Sequence, residues 1–334
     1  MADDAEFFQA LHGVLYPLTA ASSLLRVVDR ADRDGVLRQL RDGADVADVA
    51  NVTGSSEESA RALCAALVAN GIAVPDVSGF RLTPAWRALT AEGTFITLGD
   101  VLAQSRVIDT MMSGGEPTYS SLSPADRSAF AHAVSPNPYA AELVDRIRRD
   151  IAEDRWWAPM RSGGRYLELG CGIAGRMLTM LQAMPMLHAV GIELDPDLAE
   201  EARARAADLN LQDRVQIIAG DATTYRSEES FDFGFWSQWF FPSATRDMAL
   251  ASMLANVRSG GVVRAPVFGD HARIAAEPLG EEARLYTLNR VMLDSWGVPE
   301  RTPDQLQAEF ESAGFTDVTI VPGDIATTVY ARRP

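Results

Sequence analysis

The segment "RYLELGCGIAGRML", residues 165–178, has the residue types and spacing of a cofactor-binding loop. Its three glycines, Gly170, Gly172 and Gly175, lie between an apolar run and a second run with helical spacing. Glycines at such a place let the chain turn tightly from a strand into a helix and let a ligand approach the backbone. The glycines alone do not identify the cofactor, because dinucleotide-binding enzymes share this spacing.

Acidic residues accompany three of the predicted strand ends near this loop. Glu168 precedes the glycines, Glu193 ends the next predicted strand in "VGIELDP", and Asp221 follows a further strand in "GDA". We expect Glu193 to accept hydrogen bonds from a ribose diol and Asp221 to accept one from an adenine amino group. Their neighbours Leu194 and Ala222 complete the predicted cofactor contacts.

The carboxylate of Glu168 distinguishes between the possible cofactors. A pyrophosphate would be repelled by an acid beside its binding loop, whereas the ammonium of a methionyl group would be attracted. S-adenosylmethionine combines adenine, ribose, an ammonium and a cationic sulfonium, so it suits three acids better than NAD does. Each acid taken singly could also be a solvated strand end, but the combination predicts S-adenosylmethionine. A dehydrogenase is the disfavoured alternative.

The elements that position these residues follow an alternating pattern from residue 163 onward. Predicted strands are separated by helical segments such as "PDLAEEARARAADLN". This alternation requires crossover connections and predicts an α/β fold, a Rossmann-like, doubly wound, mostly parallel sheet of seven strands over residues 161–334. The strands are predicted in "RYLELG", "HAVGIEL", "VQIIAG", "FDFGFW", "GVVRAPVF", "VTIVPG" and "TTVYARR".

The preceding residues have helical periodicity. Residues 1–96 read as three helices followed by a short hairpin in "IAVPDVSGFRLT", which predicts a winged helix. Residues 97–160 are again mostly helical and are expected to form a bridge or lid. The winged helix serves either as a dimerisation module or as a DNA-recognition module.

The order of glycine loop, strand-end acid and Gly-Asp-Ala resembles the class I S-adenosylmethionine-dependent methyltransferases. A winged helix before such a domain is similar to the small-molecule O-methyltransferases of secondary metabolism, and "VPERTPDQLQAEFESAGF" is similar to their Glu-Arg-Thr element, helix and Ala-Gly-Phe. The resemblance covers most of the chain. It implies a homodimer formed through the amino-terminal half and a small aromatic substrate.

One residue of the family pattern is missing. In those O-methyltransferases a histidine after the fourth strand deprotonates the substrate hydroxyl, upstream of a Gly-Gly that matches Gly260 and Gly261 here. The matching segment reads "WSQWFFPSATRDMA", with Gln238 or Trp239 in place of the histidine. Neither side chain can act as a general base.

Aromatic residues around the missing histidine have two interpretations. They are either core residues at a buried strand end or the wall of a flat substrate pocket. We favour the pocket, because strand ends of such sheets form the ligand crevice. The residues predicted to bind substrate are Trp236 (also expected beside the cofactor), Gln238, Trp239, Phe240 and Trp296.

Methylation of an electron-rich carbon needs no strong base, only in-line positioning of the attacking atom. The loss of histidine resembles actinobacterial C-methyltransferases that act on indole or on aryl keto acids. The keto-acid type relies on a histidine-held metal that the spacing here does not offer. We therefore predict C-methylation of an indole-like carbon, with O-methylation of a phenol by another base as the alternative.

Four residues are candidates for that other base or for its support. Asp270 and His271, in "FGDHAR", follow the fifth predicted strand, and Glu300 matches a carboxylate that orients the missing histidine in the family. Tyr16, in "LHGVLYP", lies on the first helix, which in such dimers reaches the partner's pocket. The competing interpretations are a surface role for His271 and dimer packing for Tyr16.

Composition limits the remaining possibilities. The formal net charge is −16, which opposes nucleic-acid binding, and a cofactor-sensing DNA-binding regulator is retained only as an alternative of another class. All 30 basic residues are arginine, so Schiff-base chemistry is excluded. Two cysteines and four histidines suggest neither a disulfide framework nor a metal site. With an acidic start and no apolar run near membrane-spanning length, we expect a cytoplasmic protein without membrane contact.

Overall fold

The computed structural model describes residues 4–112, 119–323 and 326–334. The chain divides into two compact units, Met1–Ser105 and Arg106–Pro334. This division lies inside a helix, whereas the sequence predicts boundaries after residues 96 and 160, so those three segments stay a prediction. Each unit is described by itself.

The amino-terminal unit is helical, with one two-stranded hairpin. A helical region followed by a hairpin agrees with the prediction, but five α-helices rather than three precede the hairpin. Leu37, Leu40 and Leu67 are buried in the core of this unit. The elements are α1 (Asp4–Ala10), a π-helical turn (Leu11–Leu15), α2 (Tyr16–Arg33), α3 (Val36–Asp42), α4 (Val46–Thr53), α5 (Glu57–Ala69), β1 (Ala73–Asp76), β2 (Gly79–Leu82), α6 (Pro84–Leu89) and α7 (Leu98–Met112), the last continuing past Ser105.

The first helical stretch is unusually exposed and apolar. Over 29 residues, Ala5–Arg33, it is long and apolar enough to cross a membrane by length and composition, which corrects the expectation that no run approaches that length. Core helices and signal sequences pass the same test, so this is weak evidence for a membrane. Its side chains include Phe7, Leu15 and Leu18, the last 64% exposed. This unit by itself therefore leaves a large apolar surface uncovered.

The second unit alternates helices and strands as the sequence predicts. Its elements are α8 (Pro124–Val134), α9 (Ala141–Glu153), β3 (Gly164–Leu169), α10 (Gly175–Ala183), β4 (Leu187–Glu193), α11 (Pro196–Asp208), β5 (Val215–Ala219), β6 (Phe231–Trp236), α12 (Arg246–Asn256), β7 (Val257–Phe268), α13 (His271–Ala276), α14 (Glu281–Ser295), α15 (Pro303–Ser312), β8 (Thr316–Val321) and β9 (Ala326–Arg332). Short 3₁₀ turns lie at Tyr119–Ser121, Arg155–Met160, Gln238–Phe240 and Ser243–Thr245.

Seven strands form one sheet in the order β5-β4-β3-β6-β7-β9-β8, which confirms the predicted fold class. All neighbouring pairs from β5 to β7 are parallel, and β9 pairs antiparallel with both β7 and β8. The chain starts at β3, runs outward to β5 and then crosses back to β6. The strand order therefore reverses between β3 and β6, and a ligand crevice is expected at their carboxyl ends.

Candidate cofactor and substrate site

The glycine loop after β3 has the backbone conformation that its glycines allow. Gly170 and Gly172 have φ angles of +73° and +53°, in the left-handed region. A Cβ on Gly175 would lie 2.1 Å from the carbonyl oxygen of Pro136, so this glycine is required for close packing. A Cβ on Gly172 would meet no atom within 4 Å, so a ligand has open space to approach the backbone there. The loop fits a cofactor cradle.

A third residue of the loop is left-handed without being glycine. Ala174 has a φ of +58° and is the N-cap of α10. An alanine at this conformation is strained by about 1 kcal/mol relative to its ordinary regions. The sequence predicted Gly175 as the third conformational glycine, and nothing about an alanine signals a left-handed backbone. The strain is therefore stored directly beside the predicted cofactor site.

Glu193 ends β4 and braces the loop. Its two carboxylate oxygens accept hydrogen bonds from the amides of Gly172 (2.8 Å) and Asp195 (2.9 Å). Burial raises the pKa of the Glu193 carboxyl, while these backbone hydrogen bonds oppose that rise. Each carboxylate oxygen retains a second acceptor position. The residue can hold the loop and also accept hydrogen bonds from a ribose diol, as predicted.

Asp221 and Leu194 border the same end of the sheet. Asp221 Oδ1 accepts hydrogen bonds from the amide and the hydroxyl of Thr223, at 2.8 and 2.7 Å, and the described residues donate no hydrogen bond to its Oδ2. Leu194 is 68% exposed, whereas Ala222 is buried. A carboxylate with one oxygen free of hydrogen bonds and an exposed leucine are compatible with an adenine ring. The predicted contacts of Asp221 and Leu194 with the cofactor stay a prediction.

Glu168 lies lower in the sheet than the prediction implied. It is 3% exposed, and its Oε2 accepts a hydrogen bond from the hydroxyl of buried Tyr166 at 2.9 Å. Burial raises the pKa of Glu168 to about 7, against the opposing influence of Arg176, Tyr166 and Arg264. The carboxyl is therefore only partly ionised near neutral pH, and two arginines that the sequence analysis missed lie near it.

Two residues predicted to bind substrate belong to the core. Trp236 is 0% exposed, packs edge-on against Phe241 and Phe310, and has the guanidinium of Arg246 4.7 Å from its ring centroid. Gln238 is buried too: its Nε2 donates to the carbonyl of Pro266 (3.1 Å), and its Oε1 accepts from Arg246 (2.9 Å). Their burial favours the core interpretation for both residues. Trp236 packs on the sheet face that α12 and α15 cover, and Gln238 is held by hydrogen bonds.

The other predicted aromatics have different surroundings. Trp239 is partly exposed, and its ring centroid lies 4.5 Å from Phe268 and 6.5 Å from Phe235. Phe268 was missed, although it ends a predicted strand. Trp239 and Phe268 thus form an aromatic corner at the carboxyl edge of the sheet, which keeps Trp239 a candidate for substrate contact.

Phe240 and Trp296 belong to a separate aromatic cluster. Phe130 is edge-on to both, with centroids 5.9 and 5.0 Å away, and Tyr119 lies 5.3 Å from Trp296. Trp296 is buried, and its Nε1 has no hydrogen-bond partner within the described part of the chain. A hydrogen-bond acceptor on a ligand would satisfy that nitrogen, so the predicted role of Trp296 remains open.

His271 is paired differently from the prediction. Asp270 caps α13 by accepting a hydrogen bond from the amide of Arg273 (3.0 Å), so it is not the partner of His271. Instead, His271 Nδ1 lies 3.6 Å from Glu300 Oε1, and the Tyr286 hydroxyl donates to that same oxygen at 2.5 Å. His271 Nε2 is buried without a hydrogen-bond partner among the described residues. Tyr286, which the sequence analysis missed, completes a His–Glu–Tyr cluster.

Tyr16 lies in the other unit of the chain. It is exposed on α2, where its ring is edge-on to His12 at 4.9 Å. Its predicted role in a partner's pocket stays a prediction. Within the described residues, no three His, Cys, Asp or Glu side chains are grouped to hold a metal ion.

Comparisons with known proteins agree with this geometry. Residues 167–261 match a family described as "Methyltransferase domain". The chain is 26% identical over 116 residues to a release factor glutamine methyltransferase of Caulobacter vibrioides; the match covers 35% of this chain but only 38% of that relative's length. The chain therefore spans well under half of this curated relative.

Solved structures match the chain over nearly its whole length. An O-methyltransferase family protein from Burkholderia thailandensis has a TM-score of 0.73 at 16% identity, covering 100% of this chain and 98% of its own. Human N-acetylserotonin methyltransferase in complex with SAM has a TM-score of 0.72 at 17% identity, covering 96% and 97%. At these identities the likeness establishes the fold. The predicted class I S-adenosylmethionine-dependent methyltransferase fold, preceded by a helical domain, is confirmed.

Proposed function

We propose that this protein transfers the methyl group of S-adenosylmethionine to a hydroxyl of a small aromatic secondary metabolite, with His271 as the general base. The observation that carries the proposal is the pairing of His271 with Glu300 directly after β7. Parallel β3, β6 and β7 end at one edge of the sheet, so this pair belongs to the same edge as the glycine loop. The likeness to O-methyltransferase folds supports oxygen as the acceptor atom.

Four residues have assigned roles in the proposed reaction. Glu193 and Asp221 would hold the ribose and the adenine, and a bound cofactor would supply an electrophilic methyl group on a cationic sulfonium. His271 Nε2 would accept the proton that the acceptor hydroxyl loses as its oxygen takes the methyl group. Glu300 stabilises the charged imidazole through Nδ1.

C-methylation of an indole-like carbon is the second candidate. It is favoured by the aromatic corner of Trp239 and Phe268, and by Gln238 or Trp239 at the position where the family has its histidine. A ring that stacks against Trp239 would present a carbon in line with the methyl group, and correct positioning supplies much of the rate. No base is required before attack.

We also propose that the protein acts as a homodimer formed through its amino-terminal unit. The support is the exposed apolar surface of α1 and α2, which includes Phe7, Leu15 and Leu18. Apolar patches of this extent on a small unit mark interaction surfaces. A second copy of the same helices provides a matching apolar surface.

The test uses methyl-labelled S-adenosylmethionine with a panel of phenols, indoles and aryl keto acids, and identifies each product by mass spectrometry. An ether product that His271→Ala abolishes supports O-methylation. A carbon-methylated product that His271→Ala still forms supports the second candidate. Failure of the purified protein to bind S-adenosylhomocysteine in calorimetry would overturn both.

A further inference from the structure

Two arginine side chains converge on one aromatic ring beneath the glycine loop. The guanidinium carbon of Arg176, in the first turn of α10, lies 4.4 Å from the ring centroid of Phe235. The guanidinium carbon of Arg264, in β7, lies 5.9 Å from the same centroid. Phe235 is a buried residue of β6. Two cations that share one ring are close enough to repel each other.

These guanidinium groups are poorly paired within the described part of the chain. Arg264 Nη2 donates one long hydrogen bond to Thr328 Oγ1 (3.4 Å), and its Nε is buried with no hydrogen-bond partner. Arg176 has neither a hydrogen bond nor an ion pair with any described residue. A guanidinium presents five N–H donors, and leaving buried donors unpaired is costly. The pair therefore has donors to spare for a ligand.

The acids that face the pair do not neutralise it. Glu168 interacts electrostatically with both guanidinium groups, but its pKa of about 7 leaves it partly protonated, and it accepts a hydrogen bond from Tyr166. Asp154 is already engaged elsewhere. It accepts hydrogen bonds from the hydroxyl of Tyr330 (3.2 Å) and from the amide of Trp156 (2.8 Å). Burial and the neighbouring guanidinium lower the pKa of Arg176. Excess positive charge therefore remains at this point.

The arginine pair lies beside the predicted acceptor position. Arg176 directly follows Gly175, and Phe235 is paired with Glu168 across β3 and β6. The ring centroid of Trp239 lies 6.5 Å from that of Phe235 and 4.5 Å from that of Phe268. The arginines and the aromatic corner of Trp239 and Phe268 thus share Phe235. A flat ring against Trp239 could direct an anionic substituent toward the guanidinium groups.

We propose that Arg176 and Arg264 bind a carboxylate of the methyl acceptor, so that the acceptor is an aromatic acid; this inference rests on the proposed methyl transfer. Planar guanidinium groups suit a carboxylate, which accepts paired hydrogen bonds. The cofactor also carries a carboxylate. The acceptor is favoured as its source because Arg264 lies two strands away from β3, beside the aromatic corner.

The experiment titrates the protein, saturated with S-adenosylhomocysteine, with benzoate and with benzamide while tryptophan fluorescence is followed. We expect benzoate to bind roughly tenfold more tightly than its neutral isostere, and Arg264→Gln and Arg176→Gln each to abolish that preference. Arg148→Gln, which replaces an exposed arginine of α9, is the matched control and should retain the preference. Equal binding of benzoate and benzamide by the wild type overturns the inference.

A second arm separates the two sources of carboxylate. Calorimetry compares S-adenosylhomocysteine with methylthioadenosine, which lacks the amino-acid group. If the arginines bind the acceptor, both variants retain wild-type affinity for both nucleosides. If the variants bind S-adenosylhomocysteine more weakly but bind methylthioadenosine as the wild type does, the arginines bind the carboxylate of the cofactor, and the assignment to the acceptor is wrong. Loss of nucleoside binding by the wild type would instead contradict the proposed function.

Because Arg264 packs among Trp157, Phe235 and Tyr330, its substitution risks unfolding. Thermal unfolding of each variant is therefore measured first. Arg176 provides an independent result if Arg264→Gln does not fold, because the loss of Arg176 alone is expected to remove the preference for benzoate.

Discussion

His271 and Glu300 form a His–carboxylate pair at the edge of the sheet, with Nδ1 3.6 Å from Oε1. His271 begins α13 and Glu300 follows α14, and Tyr286 on α14 contacts both residues. Its hydroxyl donates to Glu300 at 2.5 Å, and its ring is edge-on to His271 at 5.3 Å. The proposed base therefore follows the fifth strand of this sheet, whereas the resemblance implies a histidine after the fourth.

Removing the base should affect turnover more than binding. For an ether-forming reaction, His271→Ala should lower kcat by roughly 10²–10⁴-fold, the usual contribution of a general base, with little change in KM. Tyr286→Phe should have a smaller effect of the same kind, because it releases Glu300. Steady-state kinetics with the acceptor from the labelled-cofactor panel measures both. Unchanged kcat in His271→Ala would exclude the residue as base.

Loss of Glu193 should weaken cofactor binding. Glu193→Ala removes the predicted partner of the ribose diol and the brace on the Gly172 amide, so S-adenosylhomocysteine should bind about 1–3 kcal/mol more weakly. Titration calorimetry measures the change. Glu200→Ala, an exposed residue of α11, is the control. Tighter binding of NADH than of S-adenosylhomocysteine by the wild type would contradict the assignment of the cofactor.

Glu168 should make the protein less stable as pH rises. Its folded pKa of about 7 exceeds the ordinary value of 4.5, so the native state binds the proton more strongly than the unfolded state does. The stabilisation is fully present below about pH 4.5 and is lost as pH rises through about 7, with a limit of roughly 3 kcal/mol. Urea unfolding without cofactor should show this decline, and Glu168→Gln should remove it. An equal decline in the free energy of unfolding of the variant would show that other groups cause the pH dependence.

Relief of the strained alanine should stabilise the protein. Ala174→Gly places a glycine at φ +58°, where the lost strain exceeds the added entropy of the unfolded chain, so the gain should be about 0.5–1 kcal/mol. Urea unfolding measures it. The control is Ala199→Gly in α11, which replaces an alanine of ordinary helical conformation and should be destabilising. Destabilisation by both substitutions would show that Ala174 is not strained.

Charges on the exposed helix should dissociate the proposed homodimer. Leu18→Asp introduces a charge into the exposed apolar surface of α2, and the desolvation of that charge opposes association. Sedimentation at micromolar concentration should show a dimer for the wild type and a monomer for the variant. Val77→Asp, at the tip of the hairpin, should remain dimeric. A monomeric wild type would exclude the homodimer.

Local sequence pattern was sufficient for the order of the seven strands along the chain. Alternation of apolar strands with helical segments predicted all seven strands of the sheet, because periodicity is a property of neighbouring residues. The positions of Glu193 and Asp221 at strand ends followed for the same reason. Glycine spacing likewise predicted a tight turn between strand and helix, and Gly170 and Gly172 there have the left-handed backbone that favours glycine.

Which side chains meet was decided by tertiary structure. Sequence could not show that Trp236 is buried against Phe310, because the face that a strand-end residue presents depends on the helices that cover it. It could not show that Glu300, rather than neighbouring Asp270, pairs with His271, since that contact depends on how α14 packs. Nor could it bring Arg176 and Arg264 to one ring, because they lie on separate elements whose distance is set by the sheet register and the packing of α10 upon it.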